Sequence, residues 1–272
     1  MKPPSLSRSA MRILDIALGQ MLWSRRSLFL GLLVAGPVIL ALAIRVSTML
    51  TADAPRAPRA GGPILFGLMA WLLYIRFIIP VLGVFYGTGL VADEVEDKTI
   101  TYLFVRPIQR AAILLGKYVA FLVCTALLVL PSLTLVYLLV VPVRGASLGG
   151  SFPALMADLG VCLAGLAAYG AVFAFVGARF KRPLTTGLVF AFGWEPGVLL
   201  FPGYLKRFTV AYYLQGLVPH AMPSESATSI LLRVVSDVPS LSVSLVWLAV
   251  ITAGMLWSAA RAIGSREYVL DQ

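Results

Sequence analysis

Residues able to do covalent or metal chemistry are scarce in this 272-residue sequence. There is one histidine, His220, and the two cysteines, Cys124 and Cys162, stand apart in apolar runs without C-x-x-C spacing. Gly145-Ala146-Ser147-Leu148-Gly149 matches G-x-S-x-G, but a nucleophile elbow needs a strand-to-helix turn and a histidine base within reach. A flexible loop between apolar segments is expected there instead. Gly87-Thr88-Gly89-Leu90-Val91-Ala92 matches the dinucleotide fingerprint without its βαβ context, so helix-packing glycines are expected. No G-x-x-x-x-G-K-[ST] occurs, because Gly116-Lys117 is followed by Tyr118, which excludes P-loop hydrolysis by this sequence. Neither a catalytic residue nor a metal site is expected. An intramembrane hydrolase would need paired His, Asp or Glu residues on facing segments, which this sequence does not offer.

Charged residues are more informative. Arg76 and Glu195 each fall about midway along a long apolar run. A charge at that depth costs roughly 3 kcal/mol on insertion scales and calls for protein or water around it. The two form a candidate intramembrane ion pair, or alternatively part of a substrate path. Arg45 and Asp158 lie nearer run ends, where snorkelling to the interface would serve them. The stretch from Asp93 to Arg110 places its acids first and its bases last, the order that suits a helix macrodipole. Within it Ile100, Leu103 and Phe104 share helical spacing and Pro107 stops the helix. A short amphipathic helix over about 94–110 is expected, its apolar face fitted to a partner's groove.

The elements around these residues are membrane spans. Hydrophobic residues make up 60% of the sequence and charged residues 12%, half the share usual in soluble domains. Mean hydropathy is +0.92. An all-α polytopic membrane protein of one transmembrane domain follows, with six spans at about 27–50, 63–92, 118–143, 152–178, 184–204 and 240–260. Arg76 and Pro80 interrupt the second span, and Glu195 and Pro196 the fifth. Met11, Leu14, Leu18, Met21 and Leu22 recur on one helical face before the first span, an interfacial helix. The net charge of +10 is dispersed between apolar blocks, which argues for membrane orientation and against nucleic acid. With the N-terminus inside, inner segments hold fourteen Lys and Arg and outer loops six, so both termini are expected in the cytoplasm.

The polar stretch also resembles a known family. Glu94, Glu96, Thr99, Leu103, Pro107, Arg110, Gly116 and Lys117 follow in the order seen in the second cytoplasmic segment of type-2 ABC exporter permeases. Lys98 stands where that family usually has glycine, and Trp194-Glu195-Pro196 looks like another of its recurrent features. The resemblance extends to the N-terminal helix, the six spans and a long outer loop before the last. It implies a permease subunit in the inner membrane, surrounded by lipid and paired with a second copy or a homologous permease. Two separate cytoplasmic ABC ATPase subunits would hold ATP and Mg, leaving this chain with no cofactor and no enzymatic activity of its own. Residues 94–110 would be the coupling helix seated in the ATPase, with Glu94, Glu96, Thr99, Leu103, Phe104, Arg106, Pro107 and Arg110 as docking residues. The alternative is a membrane anchor through which an ATPase drives assembly or signalling.

Overall fold

The computed structural model describes residues 17–21, 25–50, 61–91, 110–143, 146–199, 204–218 and 239–265. These form helices joined by turns, with no strand among the described residues. α1 spans Arg25–Leu50, α2 is the continuous helix Gly62–Val91, α3 spans Arg110–Val140 and α4 Leu148–Arg179. α5 covers 183–199, a 3-10 turn covers Tyr204–Phe208, α6 spans Val210–Gln215 and α7 Leu241–Ser265. α1, α2, α3, α4 and α7 are long and apolar enough to cross a membrane. The described part of α5 is 17 residues, about 25 Å at 1.5 Å rise.

Several boundaries differ from the sequence expectation, each for a local reason. α3 begins at Arg110, ahead of the expected 118, because Ala111 to Leu115 are good helix formers that extend the span into the polar stretch. The loop expected through Ser151 ends earlier, since Ser147 is the extended N-cap of α4 and Leu148 already helical. Of the fifth span, residues 183–199 are helical and residues 200–203 lie outside the described residues; Tyr204–Phe208 winds as a 3-10 turn that leads into α6. In the expected interfacial helix only 17–21 fall among the described residues; they are helical, with Ala17 buried and Leu18 and Met21 half-buried.

α4 is the hub, with α7, α3 and α2 packed around it, while α1 lies against α3. Water drives none of this association within lipid, so close contact between surfaces must supply it. Gly170 receives the Phe121 ring of α3, and Phe173 fills the notch left by Gly83 and Gly87 on α2. At Gly177 a Cβ would stand 2.3 Å from the Thr88 carbonyl oxygen, and at Gly62 2.3 Å from that of Val141. These glycines, Gly87 of the nucleotide-like motif among them, let the helices meet.

Candidate functional site: a polar centre at mid-span

Two helices change their winding where the charges lie. Within α2, Ala70–Ile78 is π-helical, and within α5 Phe190–Trp194 is too. Each stretch runs to within two residues of a proline, Pro80 or Pro196. A proline lacks an N–H and crowds the carbonyl four residues back, which here is that of Arg76 or Phe192, inside the widened turns. The helices therefore continue through the positions where the sequence suggested interruption. Gly83–Gly87, further along α2, is π-helical as well; the segments at 70–78 and 190–194 touch through the Phe77 and Phe192 rings, whose centroids are 6.0 Å apart.

Glu195 follows the π segment of α5 and is buried. Its partners come from α4 and from the returning chain. The Tyr169 hydroxyl donates to Oε2 at 3.0 Å, the Val210 amide to Oε1 at 2.9 Å and the Ala211 amide to Oε2 at 3.0 Å. The last two are the first amides of α6, which a helix leaves without internal acceptors. Thr209, the N-cap, does not take them; its side chain turns back instead, and its hydroxyl donates to the Lys206 carbonyl at 2.7 Å. Glu195 thus caps α6 from another helix, with its negative charge at the positive end of the peptide dipoles. Val210 to Leu214 are all buried, so this contact holds the returning segment inside the bundle.

Arg76 sits on the first π segment, with its guanidinium carbon 5.1 Å from the centre of the Trp71 ring. The wider π turn brings residues five apart onto one face, which aligns this pair. Arg76 and Glu195 lie within electrostatic reach of each other and of Tyr169. No hydrogen bond or ion pair joins the two directly among the described residues; the Glu195 carboxylate is occupied by the three donors above. Asp158 differs from its snorkelling expectation: it is fully buried within α4, facing the bundle.

A second polar link ties α1, α2 and α3 beside two further prolines, Pro37 and Pro131. The Ser132 hydroxyl donates to the Val34 carbonyl at 2.9 Å, so the Tyr74 hydroxyl, 2.6 Å away, must donate to Ser132. Tyr74, Ser132 and Tyr169 escaped sequence reasoning, although Ser132 beside Pro131 within an uncharged run was a visible clue.

Among the described residues no cluster of His, Cys, Asp or Glu could hold a metal ion, and both cysteines are buried and free. His220 lies outside the described residues, as do Glu94, Glu96, Thr99, Leu103, Phe104, Arg106 and Pro107. Arg110 is the first residue of α3.

Residues 11–258 match the family described as ABC-2 family transporter protein, nearly the whole chain. This chain belongs to that family. It is therefore a multi-pass membrane protein and a permease subunit of an ABC transporter, a family whose membrane subunits carry no nucleotide-binding domain of their own. No match was found among curated proteins.

Proposed function

We propose that this ABC-2 family chain is the permease half of an exporter in the inner membrane, with both termini in the cytoplasm. Two copies, or one copy and a homologous permease, would assemble with two ATPase subunits that hold ATP and Mg. Residues 94–110 form the coupling helix in this reading, with Glu94, Glu96, Thr99, Leu103, Phe104, Arg106, Pro107 and Arg110 at the contact. Closure of the ATPases on ATP would push this segment and rock the spans, moving substrate across or out of the membrane.

The observation that carries the reading is the family match over residues 11–258 on a bundle of long apolar helices. The mid-span centre supports transport over a passive anchor. A structural anchor gains nothing from a half-buried arginine in the middle of a helix, whereas a translocation path does. Co-expression with candidate ABC ATPase subunits is the test. A stable complex whose ATP turnover rises in the presence of the permease is expected. A complex with unchanged turnover would favour the anchor, and absence of any complex would contradict the proposal.

A further inference from the structure

We infer that Arg76 is the recognition residue for an amphiphilic anion, a phosphate or carboxylate carried on an apolar body, at the face where α2 and α5 meet. The inference rests on the permease reading above and adds the chemical class of the cargo.

Depth comes first. Arg76 stands at the middle of Gly62–Val91, roughly 20 Å along the axis from either end at 1.5 Å per residue. Neither membrane interface is within reach of its side chain, so snorkelling does not account for it. The second observation is occupancy. Arg76 is half-buried and meets the Trp71 ring on one side, and none of its donors is hydrogen-bonded among the described residues. Glu195 offers its charge at a distance, while its oxygens hold α6 and Tyr169 in place. A planar fork of N–H groups is left, the geometry that grips a carboxylate or phosphate through two parallel bonds.

The surroundings narrow the ligand. Next to Arg76 along the exposed surface, Phe77 and Phe192 are 43% and 44% exposed and contact each other, and Leu72 one turn away is exposed as well. An aromatic and aliphatic wall beside one cation fits a charged head joined to a hydrophobic skeleton. The π winding of Ala70–Ile78 fixes the head's position, because it stacks the guanidinium on buried Trp71.

The full chain in phosphatidylcholine nanodiscs, without ATP or ATPase, is titrated calorimetrically with decyl phosphate, decyltrimethylammonium and inorganic phosphate. Saturable binding of decyl phosphate is expected, weakened at least tenfold by Arg76→Gln and much less by Arg76→Lys, with no saturable binding of the cation. Competition by inorganic phosphate would support the site with the free anion sufficient; lack of competition would support it with the apolar body required. Equal decyl phosphate affinity in the parent and Arg76→Gln, or equal saturable binding of the cation, would overturn the assignment. If Arg76→Gln does not fold, the parent protein compared with Trp71→Phe decides. Brominated decyl phosphate should then quench tryptophan fluorescence by a share that Trp71→Phe removes, and an unchanged share overturns the site. Because no ATPase is present, failure here leaves the permease reading intact, and failure of that reading appears only in the coupled assay.

Discussion

At the scale of single residues, sequence pointed to the charges and not to what they touch. Arg76 and Glu195 stand out because a charge in an apolar run is conspicuous, yet two of the three donors on Glu195 are backbone amides, which leave no trace in residue type. Removing that carboxylate should act on α6 first. Glu195→Ala orphans both amides, at a cost of about 1–3 kcal/mol, and Glu195→Gln keeps an acceptor and loses less. Hydrogen exchange at Val210 and Ala211 should be fastest in the alanine variant and intermediate in the glutamine variant. Unchanged exchange in both would mean that α6 is held by apolar packing alone. The Tyr74–Ser132–Val34 link gives an asymmetric outcome. Ser132→Ala strands a buried tyrosine hydroxyl, whereas Tyr74→Phe leaves Ser132 its bond to Val34. Thermal unfolding in detergent should show the serine variant to be the less stable by about 1 kcal/mol, and the reverse order would place the Tyr74 hydroxyl elsewhere.

Among elements, the long uniform spans were legible and their interruptions were not. Twenty or more apolar residues announce a membrane helix whatever its neighbours do. The return through α6 depends on tertiary contacts, the Glu195 cap among them, which the apolar run from 184 to 204 does not reveal. The π turns at 70–78 and 190–194 lie just before Pro80 and Pro196, but Gly83–Gly87 is π-helical with no proline after it in the helix. The helices holding Pro37 and Pro131 stay α-helical, so residue type alone does not decide. Glycine meaning was legible only in outline. A Cβ at Gly177 would collide with the Thr88 carbonyl, while one at Gly160 on the same helix would meet nothing within 4 Å. Gly177→Ala should therefore destabilise the bundle by about 1–3 kcal/mol as overpacking. Gly160→Ala should be neutral or slightly stabilising. Equal stabilities of the two variants would contradict the close approach of α2 and α4.

For the whole molecule, membrane class and family were legible from composition and from one polar segment, because lipid constrains backbone and charge so tightly. Orientation rests on the distribution of Lys and Arg, and the exposed turn at Lys181 and Arg182 sits on the side expected to be cytoplasmic. Both native cysteines are buried, so introduced ones can report alone. Ser147→Cys should react with an impermeant thiol reagent from outside intact cells and Thr99→Cys only after permeabilisation; the opposite pattern would invert the topology. The docking segment was read from residue order, and most of it lies outside the described residues, so energy transfer is best tested by perturbing it directly. The deciding measurement is ATP turnover of the purified ATPase–permease complex with Leu103→Asp or Phe104→Asp in the permease. A carboxylate placed in an apolar contact is costly there and leaves the spans untouched. The account predicts normal membrane insertion with loss of complex formation or of stimulated turnover, and no such loss for Ser147→Ala. Full assembly and full stimulated turnover in both aspartate variants would contradict it.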